Sequence, residues 1–415
     1  TLPDSSLMYR CPKKSPSFFH SPYTMLATII AQNITIGIFL VVYTALPEQA
    51  MIVFGVTKSQ LILTASALPA GVFLGGIKNM LFVSRFSLKA ANNLYLLLQL
   101  TACLVRVLSF DNFFYAFLAQ FIQGLSNSML IMSIMRFFQN WFNPEKTRLL
   151  IPFVSTAAFI GNVIGVGFPA LLIDTSSKDL ETLRPQFQLL YCVYFGWVIA
   201  LVLFSLFIFK DQPADFVKTS LGIESSYLDE IKTVVKKFEF WKYGVLVGLS
   251  RAVLINLFGS LAMILTTIKA DSRKTFPILL LFLVFGFLGT FFYNKVLSRK
   301  YEGANFTIFI ACSTLFLNLS IIAAYYNQFY LFYGSLVIVG FFFVNQMPIS
   351  MSYAMSSLKV KNVTFVNSVY FLLAQVLAFG GNTLFSWLLA TTAEPGMAFL
   401  SCISVMGLLS IAFSL

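Results

Sequence analysis

The sequence predicts an all-α membrane protein in which twelve transmembrane helices form two six-helix halves. The 415-residue chain is 58% hydrophobic and only 11% charged, with a mean hydropathy of +0.83, whereas soluble domains carry roughly 25% charged residues. Twelve apolar runs are each long enough to cross a bilayer as a helix of about 20 residues. One long polar loop separates the first six runs from the last six.

The apolar runs set the predicted limits of the spans and of the larger units. The predicted spans are 24–46, 60–82, 91–109, 114–138, 149–173, 188–209, 243–267, 275–294, 304–325, 330–354, 363–390 and 395–415. The predicted units are an N-terminal tail (1–23), a first half (24–209), a linker (210–242) with an amphipathic helix near Ser226–Phe238, and a second half (243–415).

Basic residues give the predicted orientation. The net charge of +12 is spread over short clusters between apolar runs, which fits cytoplasmic loops of a membrane protein and does not fit a nucleic-acid-binding face. Most clusters fall on the side that holds both termini. We therefore expect a multi-pass protein of the plasma membrane or an organelle membrane with both termini in the cytoplasm.

Several function classes have no support in the sequence. It contains no nucleotide-binding fingerprint, no nucleophile–base pair and no metal-ligand spacing. Four of the five cysteines lie inside apolar runs and are expected to serve packing. We therefore expect neither an enzyme nor a cofactor.

Polar residues inside the apolar runs are the candidates for a substrate site, because each is costly there unless it faces the bundle interior. Several share one helical face through i, i+3 or i+7 spacing. The alternative is that amides bond across packed helices, and that Gly161 and Gly165 allow two helices to approach closely. The candidate substrate-binding residues are Arg251, Gln375, Asn162, Asn33, Phe39, Leu40, Tyr43, Gln123, Asn127 and Gln346.

Arg251 is the strongest of these candidates. It lies nine residues beyond Lys242, or about 13 Å along a helix that rises 1.5 Å per residue. Three interpretations remain open: the side chain extends to the membrane surface, it is satisfied by neighbouring carbonyl or amide groups, or it faces a central cavity and binds substrate. A charge buried in a span is by default a functional hypothesis.

The acidic residues point to the mode of transport. All sixteen Asp and Glu residues fall in loops, tails or span ends, and the single histidine, His20, is in the N-terminal tail. Proton-coupled carriers need a buried ionisable relay. The sequence therefore favours a uniporter or exchanger, with coupling through Arg251 or a loop acid left open.

The region from Phe114 to Leu172 carries a resemblance to a known family. It contains "RFFQNWFNPEKTRLL" and then "AAFIGNVIGVGFPALL". These motifs, with "VFGVT", "KYGVLVG" and "AQVLAFG" elsewhere in the same order, resemble the feline leukaemia virus subgroup C receptor-related branch (solute carrier family 49) of the major facilitator superfamily. The loop residues, for which the resemblance implies a cytoplasmic gating motif, are Arg136, Trp141, Phe142, Pro144, Glu145 and Lys146.

The resemblance implies a transporter of choline or ethanolamine, or of haem, with the two halves rocking about a central site. It implies a substrate-binding glutamine at Gln375. Val163, Leu40 and Arg251 stand where it would place a glutamine, a tryptophan and a tyrosine. A positive charge at Arg251 would repel a quaternary ammonium and favours an anionic group on the substrate.

The leading hypothesis is thus a facilitative, alternating-access carrier of a small organic solute, working as a monomer in the bilayer. One alternative is a transporter-like receptor or sensor that binds ligand without flux and signals through the 210–242 loop. Another is a scramblase-type carrier of lipids.

Overall fold

The computed structural model describes residues 21–108, 112–142, 144–211, 235–267, 274–296, 302–358 and 363–414. Within these ranges the chain forms thirteen α-helices and no β-strand, which confirms the all-α prediction. Twelve helices are long, and α2 is a short helix of 8 residues. The helices are α1 (Pro22–Val41), α2 (Pro47–Phe54), α3 (Lys58–Arg85), α4 (Leu88–Leu108), α5 (Phe113–Trp141), α6 (Pro144–Leu172), α7 (Leu180–Ile208), α8 (Phe238–Thr267), α9 (Thr275–Val296), α10 (Glu302–Tyr325), α11 (Phe329–Leu358), α12 (Val363–Thr391) and α13 (Pro395–Ser414).

The twelve long helices correspond one to one with the twelve predicted spans. In the described ranges, nine helical stretches are long and apolar enough to cross a membrane. Three further apolar stretches are shorter: Thr156–Leu172, Phe329–Val344 and Pro395–Leu409. Most of the amphipathic helix predicted near Ser226–Phe238, up to position 234, lies outside the described residues. Phe238 itself begins α8.

Local sequence explains where several helices begin and end. Ser21 accepts a hydrogen bond from the Thr24 backbone N–H at 3.1 Å, and Pro22 occupies the first helical position of α1, where the missing proline N–H costs nothing. The first predicted span was too long, since α1 ends at Val41 and α2 begins afresh at Pro47. Gly55 closes α2 with a φ of 62°, a left-handed conformation that glycine adopts without strain.

Successive long helices alternate in direction across the bundle. We call the side at which α1 begins and α13 ends the terminal side, and the opposite side the distal side. The first half consists of α1–α7 and the second half of α8–α13, and the helices of each half contact one another extensively.

Backbone-to-backbone contact holds α1 against α6. A methyl group on Gly37 would overlap the Ala158 carbonyl, and one on Gly161 would overlap the Ile34 carbonyl. Gly165 lies next to Ile38 in the same way. This supports close packing as the role of the two glycines in α6.

The two halves meet mainly through α3 with α12 and α6 with α9. On the distal side the Asn382 side-chain amide donates to the Ala65 carbonyl at 3.2 Å. The Phe159 and Phe258 rings stack at 5.1 Å between α6 and α8. Gly76 of α3 approaches Leu372 of α12 on the terminal half of both helices. The named contacts between the halves thus lie on both sides of mid-height.

Candidate substrate site at the junction of the halves

Arg251 lies near the middle of the 30-residue helix α8 and is 4% exposed. Its guanidinium carbon sits 5.6 Å from the centroid of the Phe371 ring on α12. A guanidinium is planar and stacks readily on aromatic faces. The side chain is therefore held inside the bundle and does not extend to the membrane surface, which removes the first of the three interpretations.

Phe371 connects this arginine to the first half. Together with its neighbour Leu372 it packs in a hydrophobic cluster that includes Ile36 of α1 and Met129 of α5. Through Phe371, Arg251 is thus linked to a cluster that includes residues of the first half.

Gln375 lies one helical turn beyond Phe371, near the middle of α12. It is buried, and its Oε1 has no hydrogen-bond partner among the residues that the structure describes. Close packing holds this part of α12 against α8, because a methyl group on Gly248 would contact the backbone of Ala374. A buried acceptor of this kind is costly unless a ligand or water donates to it.

Asn33 and Asn127 flank the same layer from the first half. Each is buried and lies within one turn of Ile36 or Met129, which belong to the cluster that Phe371 packs against. The Asn33 amide donates to the Ile29 carbonyl at 3.0 Å. In the described part of the chain the Oδ1 of Asn127 has no hydrogen-bond partner, so it is available to a donor.

Three other candidates lie farther toward the distal side. Phe39 and Tyr43 are buried in the large hydrophobic cluster, and Leu40 packs against it. Phe39 and Tyr43 both face the guanidinium of Arg106 on α4, at 4.3 and 5.8 Å from their ring centroids. They therefore contact an arginine within the first half.

Arg106 is a buried cation that the sequence reasoning missed. It is 2% exposed, donates from Nε to the Tyr43 hydroxyl at 3.1 Å and from Nη2 to Gln120 Oε1 at 2.7 Å. Gln120 in turn donates to the Phe39 carbonyl at 2.6 Å. These groups surround the C-terminus of α1, where the helix dipole is negative and stabilises a cation.

The remaining two described candidates bond or pack inside the first half. Gln123 donates to the Oε1 of Gln99 on α4. Asn162 is buried at the α1–α6 contact, where its backbone N–H lies beside Gly37, and its Oδ1 has no hydrogen-bond partner in the described ranges. Gln346 lies on α11, and its side chain is outside the described residues.

The predicted gating motif forms the α5–α6 turn on the terminal side. Arg136 Nη1 donates to the Phe86 carbonyl at 2.5 Å, which ties α5 to the α3–α4 turn. Phe142 packs edge-on against Tyr23 at 5.7 Å, and Lys146 Nζ lies 3.4 Å from the Tyr23 hydroxyl. Trp141 packs against the same cluster as Phe142. Pro144 and Glu145 open α6, and their side chains lie outside the described residues.

Carboxylates are absent from the middle of every described helix. Each Asp and Glu in the described ranges lies in a loop or within the first two residues of a helix. Over the same ranges no group of three His, Cys, Asp or Glu residues is placed to hold a metal ion. Near mid-height the charged group described at the junction is therefore the Arg251 guanidinium, with the Phe371 ring beside it.

A twelve-helix bundle whose two halves enclose buried polar groups at mid-height is the architecture of a secondary transporter. The Major Facilitator Superfamily model matches residues 24–382. The chain belongs to this superfamily, and it is a membrane transporter and not an enzyme. No curated protein matches the sequence.

Solved structures of transporters share the fold. A bacterial homologue of the human lysosomal transporter Spinster, inward-facing and unoccupied, is 14% identical with a TM-score of 0.67, covering 96% of this chain and 97% of that one. The E. coli fucose:proton symporter is 15% identical with a TM-score of 0.64, covering 95% and 99%. A D-xylose–proton symporter is 14% identical with a TM-score of 0.67, covering 95% and 96%. At these identities the likeness concerns the fold alone.

Proposed function

We propose that this transporter is a facilitative, alternating-access carrier of a small organic solute whose carboxylate or phosphate binds beside Arg251. The observation that carries the proposal is a buried guanidinium at mid-height on the junction of the two halves. Arginine stays charged in proteins, and a buried cation gains from an anionic partner. A solute that brings this anion is bound by both halves at once.

The neighbouring amides suggest what else the solute carries. Gln375 Oε1 and Asn127 Oδ1 are buried acceptors without a hydrogen-bond partner in the described ranges. A solute with hydroxyl or amine hydrogens would satisfy them. Together with the resemblance to the receptor-related branch, this favours phosphoethanolamine, an organic acid or the propionates of haem over choline itself.

The absence of carboxylates at mid-height in the described helices supports a uniporter or exchanger. The fucose and D-xylose carriers of similar fold are named as proton symporters, and a proton symporter needs a buried ionisable relay. We further propose that the terminal side, with both termini and the 210–242 linker between the halves, faces the cytoplasm of a monomeric protein in the plasma membrane or an organelle membrane.

Thermal-shift screening of the purified protein against carboxylates, phosphorylated metabolites, amines and haem would identify ligands, because a ligand that binds only the folded state raises its stability. Uptake of the best ligand into proteoliposomes then compares wild type with Arg251→Gln, using Lys178→Gln in the distal loop as control. We expect Arg251→Gln alone to lose binding and flux. Unchanged flux would remove Arg251 from the site, and binding without flux in wild type would favour the receptor alternative.

A further inference from the structure

A cavity of about 670 Å³ opens on the distal side between the end of α10 and the start of α13. It lies on the outer face of the second half, away from Arg251. Its apolar wall continues into an exposed stripe on α10, where Ile308, Leu315 and Ile322 recur every seven residues on one helical face. The residues that line the cavity include Tyr325, Tyr326, Thr392, Glu394, Ala398 and Ser401.

The cavity lies between two helices that are packed together elsewhere. Nearer the terminal side they are locked together, because the Ser404 hydroxyl donates to Asn318 Oδ1 at 2.9 Å and a methyl group on Gly407 would overlap the Thr314 side chain. Beyond Asn318, the small residues Ala398 and Ser401 of α13 line the cavity. The space beside α10 is therefore left by small side chains between two helices that are packed together elsewhere.

Two adjacent tyrosines form the polar end of the cavity. Tyr325 and Tyr326 are each 67% exposed, and their rings meet edge to face at 5.3 Å. The end of α10 that carries them is fully hydrogen-bonded: Gln328 N–H donates to the Ala323 carbonyl at 2.7 Å, and Asn327 N–H donates to the Ala324 carbonyl at 3.0 Å. This is a Schellman cap, with Asn327 in the left-handed region at a φ of 56°. The aromatic faces are thus presented on a fixed backbone.

A carboxylate completes the polar end. Glu394 precedes α13, accepts the Ala398 N–H at its backbone carbonyl, and lines the cavity together with the tyrosines. Aromatic faces beside a carboxylate are the chemistry that recognises an ammonium group. The Thr392 and Ser401 hydroxyls donate to the Leu388 and Met397 carbonyls at 2.8 and 2.9 Å, so their oxygens remain as acceptors for a ligand.

We propose that this cavity binds a zwitterionic phospholipid, with its ammonium headgroup between Tyr325, Tyr326 and Glu394 and an acyl chain along the exposed stripe of α10. The exposed apolar stripe of α10 that continues from the cavity favours a lipid over a soluble amine. Charge complementarity selects a headgroup with a terminal cation over an anionic one. Tyrosine is also favoured where one part of a site is apolar and the other wet.

Native mass spectrometry of the full-length protein tests the proposal, with phosphatidylcholine and phosphatidylglycerol of identical acyl chains as probes. We expect wild type to retain phosphatidylcholine in preference. The double variant Tyr325→Leu/Tyr326→Leu and the single variant Glu394→Gln should each bind it roughly two- to fivefold more weakly, as loss of an exposed cation–π contact predicts, with phosphatidylglycerol unchanged.

Tyr330→Leu is the matched control, since Tyr330 is 89% exposed on the same side at the start of α11 and does not line the cavity. Equal retention of the two lipids by wild type would overturn the proposal, as would an equal loss in Tyr330→Leu. Soluble phosphocholine that competes at the same concentration as the lipid would also overturn it. Glu394→Gln keeps the test decisive if the double variant is unstable in detergent.

Discussion

Ser59 at the start of α3 and Ser386 near the end of α12 hydrogen-bond to each other's backbone. The Ser59 hydroxyl lies 2.9 Å from the Ser386 carbonyl oxygen, and the Ser386 hydroxyl lies 2.8 Å from the Ser59 carbonyl oxygen. The two hydroxyl oxygens are 3.0 Å apart. This reciprocal pair joins the two halves on the distal side, so an opening of that side between α3 and α12 has to break it.

A disulfide at this position should therefore stop transport. The close approach of the two hydroxyl oxygens indicates that Ser59→Cys/Ser386→Cys can form a disulfide with little backbone movement. In proteoliposomes we expect oxidation to abolish flux and a reducing agent to restore it. Each single cysteine variant serves as control. Full flux from the cross-linked protein would mean that α3 and α12 stay together throughout the cycle.

Because the backbones of α1 and α6 touch, we predict that one added methyl group at this contact lowers the stability of the protein substantially. Gly37→Ala and Gly161→Ala should each lower the free energy of unfolding by about 1–3 kcal/mol, because overpacking forces two backbones apart. Gly196→Ala on α7 is the control, since a methyl group there meets nothing within 4 Å and alanine favours the helix. Thermal unfolding in detergent measures all three. Equal melting temperatures for Gly37→Ala and Gly196→Ala would contradict the prediction.

Replacement of Arg106 should destabilise the first half. Arg106→Gln loses the hydrogen bonds to Tyr43 and Gln120, and a bond to a charged group contributes about 1.5–3 kcal/mol. We expect a loss of at least about 2 kcal/mol in unfolding free energy. Lys178→Gln, which also removes one positive charge but at an exposed position, is the control. A melting temperature like that of wild type would show that the network contributes little.

We expect the two buried glutamines Gln32 and Gln375 to have different roles, the first in stability and the second in transport. Gln32 donates to Asn92 Oδ1 at 2.8 Å and to Ser205 Oγ at 3.3 Å inside the first half. Gln32→Leu should cost about 1 kcal/mol of stability at about 0.6 kcal/mol per interhelical bond, while substrate affinity stays the same. Gln375→Leu should weaken substrate affinity with little change in melting temperature. KM and thermal unfolding of both variants check this, and the reverse pattern would exclude Gln375 from the site.

Most of the fold was predictable because each span needs a continuous apolar run, and such runs are visible in the sequence. The end of the first span was not, because the apolar residues continue through Val42–Leu46 and only the start of α2 at Pro47 shows the break. Hydropathy predicts whether a residue can lie in lipid, whereas the position at which a helix ends depends on its cap residues.

The site was predictable only in part, because helical periodicity assigns residues to a face and not to a neighbour. Gln120 and Gln123 share a face of α5, yet Gln120 contacts Arg106 and Gln123 contacts Gln99. Arg106 itself lies near the end of α4, where an arginine is expected to reach the membrane surface. The end of α1, whose dipole favours a cation, lies beside Arg106 only once the helices have packed.

The backbone contact along Gly37, Gly161 and Gly165 has a mechanical consequence. At Gly37 and Gly161 the backbones of α1 and α6 meet directly, so we expect a displacement of one helix to carry the other with it. Tyr23 of α1 contacts Phe142 near the terminal side, and Phe159 near the middle of α6 stacks on Phe258 of the second half. We therefore expect α1 and α6 to move as one rigid unit in any rocking of the first half.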